Sequence, residues 1–163
     1  EINEKNDPDT LSSISKGNEL EFISFGIFKT MKFDCARVRL SGPYGDGGID
    51  IFGNFKRYLI LVQCKNYTDA KVSVDNIRKF EGVISRYPNR TIGIYITFDT
   101  DRYSRNATIR AEISKFNILL TNVSSMKPDI INYVFKKLNN AFDDTEECII
   151  DEIICKIKKN LIC

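Results

Sequence analysis

Three residues in this sequence have side chains and spacing suited to chemistry: Asp50, Gln63 and Lys65. Asp50 closes a glycine-rich stretch, Gly45-Asp46-Gly47-Gly48-Ile49-Asp50, and twelve residues separate it from Gln63-Cys64-Lys65. An aspartate can hold a Mg²⁺-type ion, which takes oxygen ligands in octahedral geometry. Gln63 offers a neutral carbonyl oxygen, and the main-chain carbonyl of Cys64 lies beside it. Lys65 can orient or deprotonate an attacking water, or offset charge on a phosphorane. A metal ion in such a place polarises a phosphate and lowers the pKa of its bound water. The pattern reads as a metal-dependent phosphodiesterase site using Mg²⁺, with Mn²⁺ as a substitute.

Such a site needs two neighbouring strands. Residues 58–64 form an apolar, β-prone run, and alternation puts Leu61, Gln63 and Lys65 on one of its faces. Residues 49–52 read as the preceding strand, from which Asp50 can point to the same side. The link 53–57 is short enough for a hairpin. Upstream, apolar spacing predicts a mostly buried helix over 17–31 and a strand over 33–40, followed by a Gly/Pro loop over 41–48. Downstream come a helix near 73–87, a strand over 92–97, a helix over 104–116, a strand over 118–121 and a helix over 128–141. Strand–helix–strand–helix–strand order implies parallel pairing through right-handed crossovers. The expected fold is α/β with α+β character, a central mixed β-sheet flanked by helices. Residues 1–16 read as a flexible lead-in, 17–142 as the domain and 143–163 as an amphipathic C-terminal helix packed on the domain or in a dimer.

Bulk properties narrow the classes. A chain of 163 residues with 42% hydrophobic and 28% charged residues fits one globular domain. No apolar run approaches the roughly 20 residues that cross a bilayer, so no membrane association is expected. The five cysteines, odd in number and without a Cys-x-x-Cys, suit a reduced, intracellular protein. Histidine is absent, which excludes His-dependent triads and argues against zinc. A net charge of +2 is too small to indicate nucleic acid by itself. Locally, however, Lys56, Arg57, Lys65, Lys71, Arg78, Lys79, Arg86 and Arg90 face only Asp69, Asp75 and Glu81 between positions 54 and 90. Such an excess suits a basic face on phosphates, so DNA is the expected partner, with Lys56, Arg57, Lys71, Arg78 and Lys79 as contacts.

The combination of the Gly-Gly-x-Asp turn with Gln63-Cys64-Lys65-Asn66-Tyr67 resembles the PD-(D/E)XK nuclease superfamily. Within it, the pattern is similar to the Mrr-like type IV restriction endonucleases, in which Gln-x-Lys replaces the acid-x-Lys. The similarity runs through Val72-Ser73-Val74, Ile77-Arg78-Lys79-Phe80-Glu81-Gly82, the strand at 92–97 and Tyr103-Ser104, and covers roughly residues 17–125. The resemblance implies a restriction-endonuclease-like fold and a Mg²⁺-dependent DNA endonuclease. It maps the family's helical acid onto Gly17-Asn18-Glu19-Leu20-Glu21-Phe22, with Glu21 the better match and Glu19 second, as a metal-holding residue beside Asp50, Gln63 and the Cys64 carbonyl. Cutting both strands would take two sites, as in a homodimer or tandem arrangement. Lys32-Phe33 departs from the family's usual Gly-aromatic, and Gln63 removes one negative charge, which should weaken metal affinity without abolishing the site.

Plainer roles compete for the same residues. Glu21 completes an Asn-x-x-Glu capping box with Asn18. Gly45, Gly47 and Gly48 permit positive φ in a tight turn. Cys64 suits a small core position, and Tyr67, Tyr103 and Ser104 are as suited to surface packing as to touching DNA. Two other functions also fit: a DNA-binding module with a weak or silent nuclease site, and a partner-binding domain acting through the C-terminal helix.

Overall fold

A computed structural model describes residues 8–37 and 48–138. The expected C-terminal helix over 143–163, residues 38–40 of the expected strand and Gly45–Gly47 of the glycine turn lie outside the described residues.

Helix α1 (Pro8–Thr30) is followed by strand β1 (Asp34–Arg37), the hairpin β2 (Ile51–Phe55) and β3 (Tyr58–Lys65), helix α2 (Val74–Ile84), strand β4 (Thr91–Thr97), helix α3 (Arg105–Ile113), strand β5 (Asn117–Asn122) and helix α4 (Met126–Leu138). The five strands form one sheet in the order β1-β2-β3-β4-β5. β1, β2 and β3 pair antiparallel, whereas β3, β4 and β5 pair parallel through the α2 and α3 crossovers. This is the mixed sheet that the element order implies.

Successive residues of β3 serve opposite cores. Leu59 and Leu61 pack with Ile77, Phe80, Val83 and Ile84 of α2 and Ala107 and Ala111 of α3. Ile60 and Val62 pack with Leu20 and Phe28 of α1 and Met126, Ile130 and Val134 of α4. Both faces are therefore dry, which is why β3 and β4 read as near-continuous apolar runs. Burying each such Leu, Ile or Phe contributes about 1.5–3 kcal/mol.

Local signals set the boundaries. Ser73 caps α2, its Oγ accepting the Asn76 N–H at 3.3 Å while Asn76 Oδ1 accepts the Ser73 N–H at 2.9 Å. Ser104 caps α3 by accepting the Ala107 N–H at 3.1 Å. Both caps satisfy donors that a helix start leaves without partners.

Three expectations change. The first helix starts at Pro8 rather than near residue 17 and takes in residues assigned to the polar lead-in. Proline is tolerated in the first turn of a helix, where its missing N–H costs nothing. Asn18 and Glu21 consequently sit in mid-helix, so they do not form an N-terminal capping box. The helix is also less buried than its apolar content suggests: Leu20, Ser24 and Phe28 face inward, but Phe22 is 68% exposed. Finally, β2 runs to Phe55, shrinking the hairpin link to Lys56-Arg57. Both turn residues hold left-handed backbones, at φ 52° and 71°.

Candidate active site

The candidate residues gather at the end of β3 where its main chain leaves the hairpin. Asp50 lies just ahead of β2, and its N–H donates to the Val62 carbonyl at 2.8 Å. Its side chain reaches two residues further along β3, where Oδ2 accepts the Cys64 N–H at 2.7 Å. The half-buried carboxylate is thus held across the strand, between the positions of Gln63 and Lys65. Residues two apart on a strand turn their N–H and C=O groups to the same edge. The Cys64 carbonyl therefore faces the edge where Asp50 sits.

Gln63 is 9% exposed and packed against Gly48, which adopts φ 93°. A Cβ added at Gly48 would come within 2.7 Å of Gln63 Nε2, so a side chain there would strain the backbone and displace the amide. Lys65 ends β3 beside Thr97 of β4 and is half-buried.

Glu21 approaches from α1, on the other side of the sheet. Its Oε1 accepts the Arg37 Nε–H at 2.8 Å, with the side chains of Arg37 and Glu21 only 23% and 14% exposed. Arg37 stands opposite Ile51, one residue from Asp50, so the pair borders the same end of the sheet. The Cys64 thiol points into this border. Burial pushes it well above the ordinary thiol range, the Asp50 carboxylate adds to the rise, and neighbouring Ser24 opposes it. Cys64 is accordingly a neutral thiol, not a nucleophile. Arg37 had no motif to mark it, beyond being a cation on a strand with an apolar face.

Among the described residues, no group of three or more His, Cys, Asp or Glu side chains is disposed to hold a metal ion. The oxygen donors at this end of the sheet are the Asp50 carboxylate, the Gln63 amide and the Cys64 carbonyl from neighbouring β3 positions, and Glu21 engaged by Arg37. Oxygen donors of this kind fit a hard cation such as Mg²⁺ or Mn²⁺ and do not resemble a zinc site.

The rim divides. Val72, after Lys71, bridges to Tyr103: its N–H donates to the Arg102 carbonyl at 2.7 Å, and its carbonyl accepts the Ser104 N–H at 3.0 Å. Arg102 Nη1 adds a bond to the Thr68 carbonyl at 3.0 Å. The loops after β3 and β4 are thereby laced together, and the N-termini of α2 and α3 come to the site end of the sheet, where helix dipoles favour anions. Lys71 is exposed there, while Tyr67 packs partly into the core. The Ser104 hydroxyl is engaged as the α3 cap. Arg78 and Lys79 are exposed on α2, Arg78 pairing with Asp75 at 3.0 Å. Lys56 and Arg57 stand apart, in the turn at the opposite end of β3. Its eight residues, at about 3.3 Å rise each, put that turn roughly 26 Å from Lys65.

Comparison with known proteins agrees with the motif. Residues 13–126, well over half of the chain, match the family model of the Mrr catalytic domain, described as restriction endonuclease. An uncharacterized mitochondrial protein of Schizosaccharomyces pombe is 31% identical over 94 residues, which make up 53% of this chain and 36% of that protein. Among solved structures, the MspJI restriction endonuclease in complex with a 27-mer oligonucleotide matches with a TM-score of 0.47 and 20% identity, over 88% of this chain and 34% of that one. The DNA modification-dependent restriction endonuclease AspBHI matches with a TM-score of 0.41 and 14% identity, over 90% of this chain and 41% of that one. The chain thus spans about a third of the length of the yeast relative and of MspJI. Its match to the catalytic-domain model over residues 13–126 makes the chain a member of the restriction endonuclease family.

Proposed function

We propose that this domain is a Mg²⁺-dependent DNA endonuclease, hydrolysing phosphodiester bonds with Asp50, Gln63, Lys65 and Glu21 as its site. The observation that carries the reading is the hydrogen bond from the Cys64 N–H to Asp50 Oδ2, which locks the carboxylate beside Gln63 and Lys65. Asp50, the Gln63 carbonyl and the Cys64 carbonyl would hold Mg²⁺ or Mn²⁺, with Glu21 acting at the border through Arg37. When bound, the ion would polarise the scissile phosphate and acidify the attacking water.

The remaining steps belong to the chain. Lys65 orients the attacking water and offsets the charge that builds on the phosphorane as the new P–O bond forms and the ester bond breaks. Positive helix ends and Lys71 at the same end attract the phosphates, and Tyr67 borders them. Lys56, Arg57, Arg78 and Lys79 add backbone affinity at a distance from the chemistry, and Ser104 serves by holding α3 in place. Two copies, as a homodimer, would cut both strands.

A second reading, a DNA-binding module with a silent site, is favoured by one observation: Glu21 is engaged by Arg37, leaving Asp50 as the main anionic ligand. Supercoiled-plasmid nicking with Mg²⁺ or Mn²⁺ separates the two. Wild type should nick, while Asp50→Ala and Lys65→Ala should lose activity about a thousandfold or more, on the scale of removing a principal electrostatic group from an active site. DNA binding that is indifferent to metal, with no nicking by wild type, would replace the nuclease reading with the silent module.

A further inference from the structure

The hairpin end of β3 carries a cleft that the proposed chemistry does not use. Its apolar floor comes from Met31 just after α1, Phe55 of β2, and Ile131 and Phe135 of α4. Phe135 is 54% exposed one turn before α4 ends, which leaves more than half of a large ring to solvent. Apolar surface rimmed by charge marks an interaction site. Among the described residues that line it, Lys32, Lys56 and Arg57 stand against one acid, Asp34. These cations are also three of the four non-glycine residues with left-handed backbones among the described residues. Glycine or asparagine fits the end of a helix or a two-residue hairpin turn with less strain. Basic side chains at all three positions therefore point to a use for their charge.

The chain itself supplies a segment that matches this surface in both respects. Residues 143–154 read Asp-Asp-Thr-Glu-Glu-Cys-Ile-Ile-Asp-Glu-Ile-Ile, with six acids, four isoleucines and no Lys or Arg. They follow α4 after a link of four residues, Asn139-Asn140-Ala141-Phe142. Five residues beyond Leu138 span up to roughly 17 Å when extended, and Phe135 lies about 4.5 Å back along the helix axis. The segment can therefore return to the cleft that Ile131 and Phe135 line. A short tether holds it there at millimolar effective concentration, which favours the chain's own segment over that of a second copy.

We propose that residues 143–154 dock in this cleft within the same chain, with their carboxylates on Lys32, Lys56 and Arg57 and their isoleucines against Phe55, Ile131 and Phe135. Carboxylates there take the place of phosphates, so the segment competes with DNA for the hairpin cations. The docking itself stands apart from the nuclease reading. Only the competition draws on DNA as the partner.

The test traps the docked segment by thiol exchange in the full chain. Cys148 lies within the segment, and Lys56→Cys puts a second thiol on the exposed hairpin turn while Lys32 and Arg57 stay in place. In a glutathione redox buffer the disulfide between them should form within one chain, identified by peptide mass and by a monomer band on a non-reducing gel. Adding Asp143→Asn, Asp144→Asn, Glu146→Gln and Glu147→Gln keeps the tether and removes its charge. That should lower the disulfide about tenfold, as a docked segment becomes a free tether. Saturating duplex DNA without metal should lower it in the same way when the acids are present. Circular dichroism checks that each variant is folded. A disulfide that the amide variant forms equally well would overturn the docking. So would one that runs mainly to Cys155 or Cys163, or one found only between two chains, which would make the cleft a dimer contact. DNA that binds and leaves the disulfide unchanged would overturn the competition, whereas a failure to nick plasmid would leave the docking intact.

Discussion

The two ends of β3 make opposite use of charge. At the Lys65 end, the carboxylates are held by structure, Asp50 by the Cys64 N–H and Glu21 by Arg37, and the loops are tied by the Val72–Tyr103 bridge. At the hairpin end, Lys56 and Arg57 project from a two-residue turn beside Lys32, and all three have left-handed backbones. Together with Met31, Phe55 and Phe135 these cations line an open cleft of about 500 Å³. Charge alone does not separate the two ends, since both are basic. Held carboxylates do: at the Lys65 end Asp50 and Glu21 are fixed by hydrogen bonds beside a lysine, as chemistry on a phosphate requires.

The largest difference should appear in cleavage. Lys65→Ala should reduce the single-turnover rate about a thousandfold, whereas Lys56→Ala/Arg57→Ala should leave the rate at saturating DNA within about twofold. The hairpin variant should instead lower the salt slope of binding by roughly two phosphate contacts. Filter binding and single-turnover cleavage across a salt series measure both. A rate defect as large at the hairpin as at Lys65 would erase the distinction between the ends.

A smaller effect should follow from loosening the frame behind the site end. α2 lies so close on β4 that a Cβ at Gly93 would collide with Ile84 Cδ1 and approach the Phe80 ring to 2.8 Å. Gly93→Ala should destabilise the fold by about 1–3 kcal/mol through overpacking, measured by denaturant unfolding. An unchanged midpoint would mean that α2 shifts freely on the sheet and does not hold the site end rigid.

The smallest expected effect, and the one of opposite sign, lies at the hairpin. Arg57→Gly should stabilise by roughly 1 kcal/mol, because φ 71° is strained for an L side chain and natural for glycine. A lower unfolding midpoint would show that the Arg57 side chain contributes more through its own contacts than its backbone strain costs, and would make that end less loosely built than the comparison holds.

Much of this architecture was legible beforehand because its signals are local. Alternating and continuous apolar runs marked β3 and β4, and the strand–helix order implied the parallel half of the sheet. The start of α1 is not legible locally, because polarity over residues 8–16 reads as an unstructured lead-in and polarity alone does not separate a helix from a loop. The two-residue hairpin turn is hidden in the sequence because Lys56-Arg57 lacks the Asn or Gly that usually marks one. The Asn-x-x-Glu at residues 18–21 looked like a cap only because a short-range motif carries no record of where the helix begins.

By itself, the sequence determined which residues have the chemistry: a glycine-preceded aspartate and a Gln-x-Lys at a strand end, with no histidine to offer an alternative. Residue type and short spacing suffice for that, since strand alternation acts over two residues. The tertiary structure alone decided that Glu21 would meet Arg37, sixteen positions away, that Lys56 and Arg57 would sit at the far end of β3, and that Tyr95 would stand beside Gln63. These pairings depend on sheet register and on crossovers through α2. Register is the outcome of packing both faces at once, which no local stretch of the chain encodes.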